Sequence, residues 1–114
     1  MTKTCKYVAL KNYIPQGLPS EDDFEIKTKE IKLNNKNNIH VLNSWISVDP
    51  YMRARMTERK NYKPPFKLGE EMEGYAIGSV QESDDDNFKI GDTVFSSFGM
   101  RDNFVCNSSQ LKKI

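Results

Sequence analysis

The sequence has almost no net charge. Its 17 Lys and Arg residues are balanced by 16 Asp and Glu residues, which leaves a formal charge of +1 over 114 residues. Proteins that bind nucleic acid or anionic membranes concentrate positive charge on one surface. The composition therefore argues against a polyanion or a membrane surface as the partner of this chain.

Long apolar runs and paired cysteines are also lacking. The opening segment has only residues 7–10 (YVAL) as an apolar run, which is too short for a signal-peptide core or a membrane span. Cys5 and Cys106 lie near opposite ends and form no CxxC pair, so the sequence shows no zinc knuckle and no redox motif. A disulfide between them is one alternative, but the pattern favours two reduced, partly buried thiols in a cytoplasmic protein.

Residues that commonly build catalytic or metal sites are few. The single histidine, His40, is predicted to be a partly exposed strand residue rather than a member of a hydrolytic triad. Residues 84–86 (DDD) lack the glycine and the distal glutamate of a calcium loop, so we expect a solvated turn. Glu70, Glu71 and Glu73 are predicted to lie on an exposed strand face and a turn rather than to act as an acid and base pair. No GxGxxG motif precedes a helix. These residues alone do not identify a reaction that the protein could catalyse.

The sequence does contain a succession of strand patterns in a chain of one-domain size. The strands are predicted at residues 5–10, 23–33, 39–48, 72–82, 93–98 and 103–106. Residues 23–33 alternate in polarity, which predicts a half-buried strand. Residues 39–48 are apolar on both faces, which predicts a central one.

Two local signals refine this pattern. Asp49 and Pro50 predict the start of a short helix or turn over residues 51–57, because Asp can cap free amides and Pro pre-sets the first helical φ. Gly74 and Gly78 inside the fourth strand indicate a bulge, a barrel corner or a close backbone approach. The fold class predicted from these signals is mainly β, an open β-barrel or sandwich with one helical turn.

One stretch of sequence carries a more specific signal. It consists of four blocks in order, SVDPYMRARM (47–56), PFKLGEEMEG (65–74), AIGSV (76–80) and FKIGD (88–92). These blocks closely resemble the amino-terminal GroES-like domain of zinc-free medium-chain dehydrogenases/reductases, in the branch of NADP-dependent alkenal, leukotriene B4 and prostaglandin reductases. The resemblance implies that residues 1–114 form one GroES-like, open β-barrel domain on the substrate side of such an enzyme.

The resemblance also implies chemistry without a metal. Zinc alcohol dehydrogenases of the same architecture supply a zinc ligand from a Gly-His-Glu element, where this chain has Gly69, Glu70 and Glu71. They carry a Cys/His element near the position of Asp49 and Pro50. Without imidazole and thiolate ligands a catalytic zinc has nothing to hold it. The implied reaction is the reduction of an α,β-unsaturated carbonyl by hydride from NADPH, with the enolate stabilised by hydrogen bonds.

The family binds NADP(H) mainly in a doubly wound Rossmann domain that begins roughly where this chain stops. The resemblance therefore implies that this chain has no dinucleotide fold, is inactive alone, and exposes a domain interface through which it can self-associate. The alternative is a stand-alone, non-enzymatic GroES-like binding or assembly module, because fold does not fix function.

Carried over by position, the small-molecule pocket of the family is lined in this chain by Tyr51, Met52, Tyr62, Phe98 and Gly99. Aromatic and thioether walls suit a planar enal or enone, and a tyrosine hydroxyl can orient its oxygen. Alternatively, the side chains at 51 and 52 only pack a helical turn onto the barrel.

Four further positions bear on this pocket. Arg53 and Arg55 are two residues apart and so lie on different helix faces; we predict an ion-pair role for Arg53 and a solvent-facing Arg55. Relatives commonly carry a tryptophan and a tyrosine where this chain has Met100 and Phe104. The width of the pocket, and with it the substrate, stays open.

Overall fold

The computed structural model describes residues 2–33, 36–58 and 64–114. Within these ranges the chain forms seven strands, one α-helix and two short 3-10 helices. The strands are β1 (Thr2–Leu10), β2 (Phe24–Lys32), β3 (Asn38–Ile46), β4 (Ala76–Ser83), β5 (Thr93–Ser96), β6 (Asn103–Asn107) and β7 (Lys112–Lys113). The helix is α1 (Tyr51–Ala54), and the 3-10 helices are Glu21–Asp23 and Ser108–Gln110.

The strands form two antiparallel sheets. β1 pairs with β2 along its whole length, from Thr2 opposite Lys32 to Leu10 opposite Phe24. The other five strands form a sheet in the order β6-β3-β4-β5-β7, and its two edges do not pair with each other. The mainly β, open-barrel prediction is confirmed, and β3 lies in the interior of its sheet as its apolar pattern predicted.

Two large groups of buried side chains form the core. The first packs α1 and the following segment against the end of β1, and the second lies on the inner face of the five-stranded sheet. Their members are Leu10, Ile14, Met52, Met56, Phe66 and Met72 in the first, and Ile39, Val41, Val80, Val94, Phe104 and Cys106 in the second. Each such side chain contributes roughly 1.5–3 kcal/mol on burial, so the segment carrying α1 is held as firmly as the sheet.

The glycines of the fourth predicted strand show close backbone approach. A Cβ added at Gly78 would lie 2.5 Å from the carbonyl oxygen of Leu42 on β3, and the β3–β4 register shifts between Asn43 and Trp45. The glycine there is required because no larger residue fits so near a neighbouring backbone. The strand itself begins at Ala76, later than the predicted residue 72.

The predicted half-burial of residues 23–33 is wrong for much of that strand. Ile26 is 71% exposed, and only Phe24 and Ile31 pack against core clusters. Alternation predicts which residues share a face, but burial needs a second layer over that face. β2 pairs with β1 alone, and little of the described chain covers it.

His40 is buried, which corrects the predicted partial exposure. Its Nε2 lies 2.9 Å from Asn103 Oδ1, and the Asn103 amide in turn donates to the carbonyl oxygen of Thr4 on β1. His40 therefore belongs to a polar link between the two sheets.

Both cysteines are free thiols and buried more fully than predicted. Burial raises the pKa of Cys106 to about 12 and also raises the pKa of Cys5, where the charge of Asp102 adds to the effect. No helix among the described residues has the length and apolar character needed to cross a membrane.

Candidate functional site

The helical turn that carries two of the predicted pocket residues starts without the predicted cap. The Ser47 hydroxyl donates to Asp49 Oδ2 at 2.8 Å, so the Asp49 carboxylate is engaged beside the helix. Pro50 occupies the N-cap position, and no side chain caps the helix there. The amide of Met52 donates to the backbone oxygen of Asp49 at 3.0 Å, which still closes the turn. The helix ends at Ala54, earlier than the predicted residue 57.

Tyr51 and Met52 point to different environments. Met52 is 2% exposed and packs in the core, the position that the alternative interpretation gave it. Tyr51 is half-buried, and its ring lies 6.0 Å from the ring of Tyr75, centroid to centroid. Adjacent side chains on a helix point about 100° apart around its axis, so Met52 faces the interior while Tyr51 lies in the surface layer.

Two glycines bring the turn after β5 against this helix. The amide of Gly74 donates to the oxygen of Ser97 at 3.2 Å, and the amide of Gly99 donates to the oxygen of Gly74 at 2.8 Å. A Cβ at Gly99 would lie 2.8 Å from that same oxygen, and a Cβ at Gly74 would collide with Cε of Met52. The glycines thus place Met52 and the 98–99 turn on either side of one backbone strand.

Phe98, the residue before that glycine, is only partly buried. Its ring centroid is 4.9 Å from that of Phe104 and 5.4 Å from the guanidinium carbon of Arg101. The structure therefore brings Met52, Phe98 and Gly99 against Gly74, and the ring of Tyr51 lies near the adjacent Tyr75. Tyr62, the fifth predicted pocket residue, lies outside the described residues.

Tyr75 belongs to this region and was missed from sequence. It falls between two of the recognised blocks, one ending at Gly74 and the next beginning at Ala76. Its ring is 41% exposed and stacks on Phe95 at 5.3 Å with an interplanar angle of 29°. A tyrosine directly after a glycine at a strand entry was the available signal.

The register of the sheet extends this contact into a row across one face. Ile77 is opposite Phe95 on β5 and opposite Trp45 on β3, so these three side chains share the outer face of the sheet. We call Tyr51, Tyr75, Phe95, Ile77 and Trp45 the outer aromatic row. Trp45 is 75% exposed, so the far end of the row is open to solvent.

The electrostatics keep the phenol of Tyr51 protonated. Burial raises the pKa of Tyr51, and the neighbouring Tyr75 and the carboxylate of Asp49 raise it further. A protonated phenol at neutral pH is a hydrogen-bond donor.

The two arginines of the helical segment have the reverse of their predicted roles. Arg55 is buried; its Nη2 lies 2.9 Å from Glu73 Oε1 and its Nε donates to the oxygen of Pro64. Arg53 instead donates to the carbonyl oxygen of Gly17 in an exposed loop. Arg55 lies past the last helical residue, so the helix-face argument did not apply to it.

The acidic residues of the 70–73 segment are partly used in ion pairs. Glu71 pairs with Lys29 and Glu73 with Arg55, while Glu70 is exposed. Burial raises the pKa of Glu71, but the hydrogen bond and charge of Lys29 outweigh it and leave the pKa below its usual value. Over residues 2–33, 36–58 and 64–114, no three or more His, Cys, Asp or Glu side chains cluster as a metal site would require.

Comparison with known protein families identifies this open β-barrel as the amino-terminal domain of an oxidoreductase. The family described as the N-terminal domain of oxidoreductase matches residues 6–114, and the chain belongs to it.

The relatives are NADP-dependent reductases. The chain is 38% identical over 109 residues to a 2-alkenal reductase (NADP(+)-dependent) of Nicotiana tabacum. This alignment covers 92% of this chain and 32% of the relative. It is 28% identical to an NADPH-dependent curcumin reductase of Escherichia coli, over 88% of this chain and 29% of the relative. The chain thus spans about a third of the length of these proteins.

Solved structures give the same assignment. The crystal structure of CurA from Vibrio vulnificus superposes with a TM-score of 0.86 at 25% identity, over 96% of this chain and 31% of that one. The complex of that CurA with NADPH gives the same TM-score. These comparisons confirm the resemblance to the branch of NADP-dependent alkenal reductases.

Proposed function

We propose that this chain is the reactant-side domain of a longer NADP-dependent reductase, which reduces a carbon–carbon double bond conjugated to a carbonyl without zinc. The observation that carries the proposal is the 38% identity to the tobacco 2-alkenal reductase across 92% of this chain. The resemblance of the 47–56 block, which contains Tyr51, supports it.

In this proposal the outer aromatic row supplies part of the wall for a planar, apolar reactant. Tyr75 lies between Tyr51 and Phe95, with its ring tilted against the first and stacked on the second, at centroid distances of 6.0 and 5.3 Å. Flat rings held in place by their neighbours bind a conjugated carbonyl at little cost in conformational entropy. Met52 acts beneath this wall, where its packing against Gly74 fixes the helical turn.

The phenol of Tyr51 has the chemistry to hold a carbonyl oxygen. Its pKa is raised, so it keeps the proton that a hydrogen bond to the oxygen needs. Such a donor matters most when negative charge develops on that oxygen during reduction.

The nicotinamide cofactor, which supplies hydride when bound, does not fit the described residues. Dinucleotide folds use a strand, a glycine-rich turn and a helix leading to a parallel strand. The strands paired here are antiparallel, and α1 has four residues. We therefore propose that the rest of the longer protein binds NADP(H), that the isolated chain is inactive, and that it has no NADPH affinity of its own.

The test is NADPH oxidation by the full-length protein that contains this chain, with a panel of small enals and enones. We expect turnover of at least part of the panel, and Tyr51→Phe should lower kcat by about a hundredfold, the scale of one lost oxyanion donor. Tyr13→Phe is the matched control, because that hydroxyl donates to the carbonyl oxygen of Phe66. A full-length protein that reduces no member of the panel would contradict the proposed reaction. NADPH binding by the isolated chain would contradict the proposal that the rest of the longer protein binds the cofactor.

We also propose that the isolated chain self-associates through the outer aromatic row. The most exposed side chain of this row is Trp45, at 75%, followed by Tyr75 at 41%. Apolar area of this kind favours association at about 25 cal/mol per Å² before entropic costs.

A further inference from the structure

A cleft of about 350 Å³ opens on the part of the barrel that carries the two buried arginines, Arg55 and Arg101. Its walls include the side chains of Arg55, Phe66, Glu73, Phe98 and Arg101. Two guanidinium groups and two phenylalanine rings therefore face one space, and the charges around it decide what it can hold.

Three of the six charged side chains that line the cleft are held in ion pairs. Arg55 is paired with Glu73 at 2.9 Å, and Glu71 is paired with Lys29. Arg101 differs, because no carboxylate in the described part of the chain lies within ion-pair distance of its guanidinium. It is the buried cation of this cleft that lacks a counter-charge in direct contact.

The hydrogen bonds of Arg101 leave one edge of its guanidinium open. Its Nε donates to the oxygen of Gly99 at 3.0 Å and its Nη2 to the oxygen of Met72 at 3.1 Å, while Nη1 has no acceptor among residues 2–33, 36–58 and 64–114. The side chain is 8% exposed, and burial lowers its pKa, although a guanidinium still keeps its proton. Nη1 is not one of the fully buried atoms without a partner, so this edge can reach solvent, and an anionic ligand can pair with it there.

We propose that the open edge of Arg101 binds the carboxylate of a small ligand whose apolar body lies against Phe98 and Phe66. Guanidinium groups recognise carboxylates and phosphates by the same fork of donors. The carboxylates at 70, 71 and 73 also line this cleft and repel a dianion more strongly than a monoanion. The apolar lining adds contact for a hydrocarbon chain, which inorganic phosphate lacks. The proposal does not depend on the reaction proposed above.

The test follows the side-chain Nε–H resonance of Arg101 by NMR in the 114-residue chain. Hexanoate is titrated at constant ionic strength, with hexanamide as the neutral match and inorganic phosphate as the dianion. We expect a saturable shift with millimolar hexanoate, no saturable shift with hexanamide, and binding of phosphate weaker by about tenfold, or 1.4 kcal/mol.

Variants separate the site from general charge effects. Arg101→Lys keeps the charge but loses the fork, so hexanoate should bind about tenfold more weakly. Arg53→Gln removes an arginine bonded to Gly17 in an exposed loop and should leave hexanoate binding unchanged. If Arg101→Lys does not fold, the wild-type titration decides alone. The proposal is overturned if hexanoate gives no saturable shift, if hexanamide or phosphate binds as well, or if Arg101→Lys binds hexanoate as tightly as wild type.

Discussion

The guanidinium of Arg55 lies 4.3 Å from the centre of the Phe66 ring while it donates to Glu73 and to the oxygen of Pro64. One side chain thereby ties the end of the α1 segment to the strand entry at residue 73 and to the core. Glu73 is half exposed, so the ion pair itself contributes little, and the packing and the backbone hydrogen bond contribute most.

Replacing Arg55 should therefore destabilise the chain far more than replacing Arg53. We expect Arg55→Gln to lower the free energy of unfolding by about 2 kcal/mol and Arg53→Gln to change it by less than about 0.5 kcal/mol. Urea unfolding followed by tryptophan fluorescence measures both. Equal effects of the two substitutions would contradict the assignment of Arg55 as the structural arginine.

A second prediction concerns the contact between Gly74 and Gly99. A Cβ at Gly99 would press on a backbone oxygen, which cannot move alone, whereas a Cβ at Gly74 would meet the flexible end of Met52. We expect Gly99→Ala to cost about 1–3 kcal/mol of stability and Gly74→Ala to cost less. Thermal unfolding of the two variants side by side tests the order, and the reverse order would show that the turn after β5 adapts more easily than the core.

Burial of the Cys106 thiol should make the free energy of unfolding depend on pH in the alkaline range. Its pKa is raised from 9.0 to about 12, so the folded state disfavours the thiolate and this contribution to stability is complete below pH 9. As pH rises from 9 towards 12, the unfolded chain ionises first and this contribution is lost, by up to about 1.4 kcal/mol per pH unit. We expect the pH dependence of unfolding in this window to be shallower in Cys106→Ala than in wild type. If the free energy of unfolding had the same pH dependence in both proteins, the Cys106 thiol would not be its source.

The hydrogen bonds of Asn103 fix the tautomer of His40. The Asn103 amide nitrogen donates to Thr4 and to Asp102, so its oxygen must accept, and His40 Nε2 must carry the proton. Nδ1 of His40 is buried without a partner in the described structure. We expect long-range ¹⁵N NMR to show a proton on Nε2. A ring with Nδ1–H would mean that the link between the sheets is arranged differently.

Self-association offers a direct probe of the outer aromatic row. Sedimentation equilibrium of the isolated chain should show concentration-dependent association that Trp45→Gln weakens. Leu18→Gln is the matched control, because Leu18 is 93% exposed but lies in a loop outside the row. A chain that stays strictly monomeric at millimolar concentration would contradict self-association through the outer aromatic row.

Much of the strand pattern could be predicted from the sequence. Alternating and continuous apolar runs located six of the seven strands, because side-chain period follows directly from backbone geometry. β7 was missed because a two-residue strand, Lys112–Lys113, has no period to detect. The four motif blocks predicted the family for a similar reason, since they depend on residue order and not on packing.

The sequence by itself determined the mainly β class, the family and the position of the helical turn at Tyr51. Only the tertiary structure decided which of Arg53 and Arg55 is buried and that His40 links the two sheets. It also decided that Ile26 is exposed and that the ring of Tyr75 lies beside that of Tyr51. The physical reason is that local sequence sets backbone conformation and side-chain direction. Burial, charge pairing and ring contacts depend on which distant strand covers each face, and here those contacts join residues far apart in the chain.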